Sequence, residues 1–126
     1  MAVKLKKIQR KNPLNAALTK WYLTQESAGN VGLQEIAREI EGRSALSLGD
    51  VQSVLSNLMD VMPIFLKLGQ SIKLEGFGTF RVSVTSDGTT TPDELNAHHI
   101  KGVKLVFLPS VDLKRSLDDI SFEITQ

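Results

Sequence analysis

The side chains with the clearest chemical potential in this sequence are cations, and they are unevenly placed. Lys4, Lys6, Lys7, Arg10, Lys11 and Lys20 crowd the first 25 residues, with no acid among them. Residues 26–126 hold the other 9 basic groups and all 14 acids, a net of −5 hidden behind an overall charge of +1. A basic segment on a mildly acidic body attracts polyanions such as nucleic acid or an anionic surface. Lysines also protect exposed sheet edges, so the same pattern fits a solvated strand. The other reactive side chains fall short of a site. His98 and His99 are adjacent, so in a strand they face opposite ways, and no cysteine is present to complete a metal site. Asp118-Asp119 lacks the further spaced ligands of a cation loop and reads as a solvated helix end. No nucleophile, base and orienting group stand at a meaningful spacing. The expectation is a non-enzyme with no cofactor, metal or small-molecule substrate.

The elements that must position the cations follow from patterning. With 126 residues, 41% hydrophobic and 23% charged, the chain has the balance of one ordinary folded domain. No run reaches the roughly 18 apolar residues of a membrane span, no apolar run follows the basic start as in a secretory signal, and the lack of cysteine suits a reducing cytoplasm. Val3, Leu5 and Ile8 alternate with lysines as in a strand, Asn12-Pro13 breaks it, and Ala17–Thr24 reads as a second strand. Residues 1–25 therefore form a β-hairpin-like extension with an irregular turn, linked onward by Ser27–Gly32.

A helical period follows. Leu33, Ile36, Ala37 and Ile40 make one stripe of a short helix ending before Gly42. Ser47 caps a second helix running to about Leu68, with Asp50 in its first turn and Gly69 as the stop. Pro63 lies inside it and is expected to kink or loosen the helix near Met59. Its apolar positions form a stripe too wide for one packing partner, and a homodimer would bury the excess. Three strands are expected at Ser71–Glu75, Thr79–Val84 and Val103–Leu108, with a tight turn at Gly76-Phe77-Gly78. The polar excursion between the last two opens with Thr91-Pro92-Asp93-Glu94, a helix start with Glu94 placed for a capping box. Ser110 caps a last short helix carrying Val111, Leu113, Leu117 and Ile120. Phe122 and Ile124 alternate again and are candidates to pair with the N-terminal hairpin.

Several of these pieces together resemble a known family. Residues Gly32–Val82, above all Ile72-Lys73-Leu74-Glu75-Gly76-Phe77-Gly78-Thr79-Phe80, resemble the strand–GFGTF–strand signature of the HU/IHF family of bacterial histone-like DNA-bending proteins. Val106-Phe107-Leu108-Pro109 followed by Leu113-Lys114-Arg115-Ser116-Leu117 is a second matching piece, although Ser110-Val111 stands where the family has Gly-Lys. Gln9-Arg10-Lys11-Asn12-Pro13 is similar to an HU-related branch with a hairpin before the helical pair. The glycines and phenylalanines of the signature build the scaffold: glycine permits backbone angles and close approaches that other residues resist, and Phe77 and Phe80 supply aromatic core.

The resemblance implies an α+β, HU/IHF-like fold: a helical pair, a three-stranded antiparallel sheet with an arm and a short C-terminal helix, preceded by the hairpin-like extension. It implies one HU-like domain over 1–126, with extension and linker at 1–31, helical pair and GFGTF strands at 32–84, an atypical arm at 85–102, and the return strand with its C-terminal helix and strand at 103–126. It further implies an intertwined homodimer, with Val54, Leu55, Leu58, Met62, Phe65, Phe77 and Phe80 at the interface. The implied partner is double-stranded DNA, bound with low sequence specificity in a nucleoid-associated, cytoplasmic setting, with no membrane. Family arms are basic and carry a proline wedge for the minor groove. Here residues 82–100 hold only Asp87, Asp93 and Glu94 as charged groups, and Pro92 reads as a helix start. The expected DNA contacts are therefore Lys4, Lys6, Lys7, Arg10 and Lys11 on the extension, with Lys73, Arg81, Lys101, Lys104, Lys114 and Arg115 on the body. The alternative is an HU-fold dimer that serves as a structural or protein-interaction module, with DNA binding weak or lost.

Overall fold

A computed structural model describes residues 2–125. In chain order the elements are β1 (Val3–Asn12), β2 (Asn15–Gln25), α1 (Leu33–Gly42), α2 (Leu48–Leu66), β3 (Ile72–Leu74), β4 (Gly78–Ser86), β5 (Ile100–Pro109), α3 (Val111–Ser116) and β6 (Phe122–Ile124). Two short 3-10 turns, Pro92–Glu94 and Ala97–His99, lie between β4 and β5. This is a mixed α+β chain, as the sequence leads one to expect. It divides into two units, one built from Met1–Gly32 and Leu117–Gln126, the other from Leu33–Ser116.

The first unit is a three-stranded sheet ordered β2-β1-β6. β1 and β2 are antiparallel, from Leu5↔Gln25 to Lys11↔Thr19, and the register then jumps to Asn12↔Asn15. That jump is the irregular turn expected at Asn12-Pro13. The Asn12 side chain accepts from the Leu14 N–H and the Asn15 side chain from the Ala17 N–H, satisfying donors that the ladder leaves open. β6 joins β1 in parallel, Val3 opposite Phe122 and Leu5 opposite Ile124. The segment after α3 thus returns to make β1 the central strand.

In the second unit α1 packs on α2, and Ala37 and Val51 are its buried apolar residues among those described. Ser47 caps α2 as its position implies: its hydroxyl accepts from the Asp50 N–H at 3.1 Å. The helix ends at Leu66, two residues short of the expected Leu68, because Gly69 closes it with a full turn of C-terminal bonds. Gly69 adopts φ +79°, its N–H donates to the Leu66 carbonyl and the Gln70 N–H to Phe65. Helical structure continues through Pro63 to Leu66. Proline removes a single donor, and this one falls in the last turn, where little helix remains to be disrupted.

The second sheet is antiparallel, ordered β3-β4-β5. Between β3 and β4 the Phe77 N–H donates to the Leu74 carbonyl at 2.9 Å while Gly76 sits at φ +77°, where a side chain would be strained. Gly78 has a different reason. A Cβ there would stand 2.5 Å from Phe107 Cε1 and 2.6 Å from the Leu108 carbonyl oxygen, so only glycine fits between the strands. Phe77, Phe80 and Phe107 gather beside it, with ring centroids 4.7 to 6.4 Å apart. Ser110 caps α3 by accepting from the Leu113 N–H at 3.0 Å. Leu117 and Ile120, expected on that helix, lie beyond its end at Ser116.

Candidate nucleic-acid interface

Strand register decides which cations share a face, because residues directly opposite one another in an antiparallel pair point the same way and neighbours along a strand alternate. In the second unit Phe80 opposes Phe107, Val82 opposes Leu105 and Val84 opposes Val103. This face is apolar and open: Val103 is 64% exposed and Leu105 63%. The other face carries Lys73 opposite Thr79, Arg81 opposite Val106 and Lys104 opposite Ser83. Three of the expected DNA-contact residues therefore lie together on one sheet face.

The remaining body cations are elsewhere. Lys101 is the extra residue where the register shifts between Thr85↔Gly102 and Ser86↔Ile100, and its ammonium lies 3.1 Å from the Asp87 carboxylate. Lys73 has a longer contact of 3.9 Å with Glu75, both side chains largely in solvent. Lys114 and Arg115 sit in the last turn of α3, where positive charge complements the helix end.

The β4–β5 connection is acidic and locally ordered rather than strand-like throughout. The Asp87 N–H donates to the His99 carbonyl at 2.8 Å, closing the loop at its base. The expected helix start forms only as the 3-10 turn Pro92–Glu94. Thr91 makes no cap there; the Thr90 hydroxyl donates to Glu94 instead, at 3.3 Å. The true capping box is one turn later: Asn96 accepts from the His98 N–H, and His99 Nδ1 accepts from the Asn96 N–H at 3.1 Å. His99 is thus half-buried and structural. Among the described residues no three His, Cys, Asp or Glu side chains gather as a metal site would require, and no helix is long and apolar enough to cross a membrane.

In the first unit the same register argument splits the extension. Lys4, Lys6 and Arg10 share one face with Ile8 and Tyr22, while Lys7 falls on the opposite face with Leu23 and Trp21. Lys11 belongs by register with Lys7, yet it also lines a shallow tip cleft with Arg10, Pro13, Lys20 and Tyr22. Lys20 stands directly opposite Arg10 and joins the first face. Lys20 is not among the contact residues expected from sequence, because its facing depends on a register set by the irregular turn. The Arg10 guanidinium lies over the Tyr22 ring, 5.8 Å from its centroid.

The residues expected at a dimer interface are divided in their environment. Val54, Leu58 and Phe65 on α2 are exposed, as are Met59 and Ile64 beside them, while Leu55 and Met62 are half-buried. Phe77 and Phe80 pack with Phe107 within the chain. A groove of ≈ 710 Å³ runs between the end of α2 and the apolar sheet face, lined by Pro63, Leu66, Val82, Val84, Val103 and Leu105.

Helical pair, GFGTF turn, three-stranded sheet and capped short helix define an HU-like fold. The chain belongs to the HU-HIG family, described as an HU domain fused to a winged helix-turn-helix, immunoglobulin or glycine-rich motif, and the family match spans residues 1–124. Its fold is similar to the crystal structure of a proposed bacterial DNA-binding protein from Bacteroides vulgatus, with a TM-score of 0.70 at 10% identity over 98% of this chain. This chain spans 48% of that protein's length. It is also similar to HU from an Anabaena HU–DNA cocrystal structure, with a TM-score of 0.56 at 12% identity, covering 71% of this chain and 99% of the other. No curated protein matches the chain by sequence.

Proposed function

We propose that this chain is an HU-related architectural protein that binds duplex DNA as a homodimer, with little sequence preference. The observation that carries the proposal is the division of the β3-β4-β5 sheet into a face bearing Lys73, Arg81 and Lys104 and an apolar face left open to solvent. The cationic face suits a phosphate backbone, which supplies most sequence-independent affinity. The apolar face, with the exposed stripe of α2, suits a second copy of the chain, because large exposed apolar surface marks an interface. Kinship with HU and the DNA in the Anabaena cocrystal support the same reading. Lys101, Lys114 and Arg115 extend the basic surface, and the extension contributes further contacts. A bacterial, nucleoid-associated location, free of membranes and cofactors, goes with it, and the protein works by binding and not by catalysis.

A second reading is favoured by one observation. The loop between β4 and β5 has no cation of its own, and its Asp87 pairs with Lys101 at its base. A protein that keeps the HU scaffold to bind other proteins would have this loop. The two readings separate on titration of three unrelated duplexes of equal length, alongside sedimentation of the protein. The DNA-binding reading expects affinities within about threefold of one another and a mass twice the 13.9 kDa of the chain. A folded dimer that binds none of them selects the second reading. One duplex preferred by a hundredfold would replace low specificity with base readout.

A further inference from the structure

We infer that the β2-β1-β6 sheet is itself a duplex-DNA site, and that it works through one face only: Lys4, Lys6, Arg10 and Lys20, with Lys7 turned away. The inference rests on the DNA-binding reading and deepens it by assigning the contacting face. Four cations share this face, and two acids lie near it, Glu123 opposite Lys4 in the parallel pairing and Glu26, whose N–H donates to the Lys4 carbonyl. Glu26 is engaged by the Thr125 hydroxyl at 3.3 Å. The cationic row is long. From Lys4 to Arg10 is six residues of strand, about 20 Å at 3.3 Å per residue. One DNA strand offers a phosphate roughly every 3.4 Å along the axis over that distance. The row ends in the tip cleft of ≈ 400 Å³, where Arg10 and Lys20 converge.

The opposite face has the wrong character for a phosphate backbone. It carries two cations where the first carries four: Lys7 and Lys11 flank Gln9 opposite Trp21, which is 67% exposed, and the far end is the apolar group Val3, Leu5, Phe122 and Ile124. Phosphates laid along the row would lose water over that apolar end without gaining charge partners there. On the cationic face single-stranded nucleic acid is less well served than duplex, since it is held by aromatic rings free to stack on bases. Tyr22, the ring on the cationic face, is occupied by the Arg10 guanidinium. That contact holds the guanidinium on the surface and lowers the ordering cost of a phosphate contact.

The test uses the full chain, because removing β1 would take out the central strand. Lys6 and Lys7 are neighbours of equal charge and, by register, opposite facing. Binding of a mixed-sequence duplex is measured against salt for wild type, K6Q, K7Q and the quadruple variant K4Q/K6Q/R10Q/K20Q, with circular dichroism confirming the fold of each. For each protomer whose sheet engages the duplex, the expected result is a log–log slope shallower by about 0.9 in K6Q, by about 3.6 in the quadruple variant, and unchanged in K7Q. Equal losses in K6Q and K7Q, or a quadruple variant with the wild-type slope, would overturn the face assignment while leaving DNA binding by the other sheet intact. Wild-type protein that binds no duplex would overturn both. Single-stranded RNA or anionic vesicles that compete as well as duplex, at equal phosphate, would overturn duplex DNA as the ligand. A quadruple variant that fails to fold shifts the decision to the K6Q and K7Q pair.

Discussion

Replacing Gly78 by alanine asks whether the glycines of the GFGTF turn are structural. The added methyl would meet Phe107 Cε1 at 2.5 Å and the Leu108 carbonyl oxygen at 2.6 Å, where real Cβ atoms essentially never come within 3.0 Å. Comfortable carbon contacts lie near 3.5–4.0 Å, so about an ångström must be found. Phe107 cannot swing freely, because its ring is 5.4 Å from Phe77 and 4.7 Å from Phe80. The Leu108 carbonyl is backbone of β5. Relief therefore requires parting β4 from β5 where Gly78 pairs with Pro109. Overpacking costs about 1–3 kcal/mol, and backbone involvement places this variant at about 2–3 kcal/mol. For a domain of roughly 60–100 residues that lowers Tm by about 10–20 °C. The assay is thermal unfolding by circular dichroism at fixed protein concentration, with Gly42→Ala as the control. Gly42 has ordinary backbone angles, and a methyl added there would have nothing within 4 Å, so the control should melt at or slightly above wild type. A Gly78→Ala protein melting within about 2 °C of wild type would refute the reasoning.

Three further outcomes follow from the same geometry. Leu58→Asp, on the exposed stripe of α2, should give monomer or unfolded protein by sedimentation; a folded variant of unchanged dimer mass would count against the interface. Lys104→Gln should make the salt dependence of DNA binding shallower than Lys101→Gln does, because Asp87 already compensates Lys101 at 3.1 Å; the reverse order would place the duplex at the loop instead of the sheet face. Ser47→Ala should destabilise by about 1 kcal/mol, read from denaturant unfolding, through loss of the bond from the Asp50 N–H; no change would mean that water replaces the cap at no cost.

Local chemistry was the legible part of this fold. Ser47, Ser110, Gly69 and Gly76 each act within a turn of their own position, so residue type alone announces their roles. The resemblance around Gly76–Phe80 and the period of residues 33–68 carried the rest of the second unit. What the sequence left open depends on distant partners. The irregular turn at Asn12–Asn15 sets the hairpin register and so decides that Lys20 joins Arg10 while Lys7 faces away. β6 lies over 100 residues from the strand it pairs with, and alternation at Phe122 and Ile124 names β6 as a strand without giving its parallel direction. Lys101 could be placed near the loop but not beside Asp87, since a bulge turns it out of the alternation. His99 shows no capping role in the sequence, because its partner is the Asn96 N–H across a 3-10 turn that residue type alone does not announce.

The most direct test of DNA binding is fluorescence anisotropy of a labelled, mixed-sequence duplex titrated with wild-type protein at several salt concentrations. With six to ten phosphate contacts in the dimer, the account predicts tight binding at low salt and a log–log slope of about −5 to −9. A folded dimer that fails to bind at low salt, or binds with a slope shallower than about −2, would contradict it.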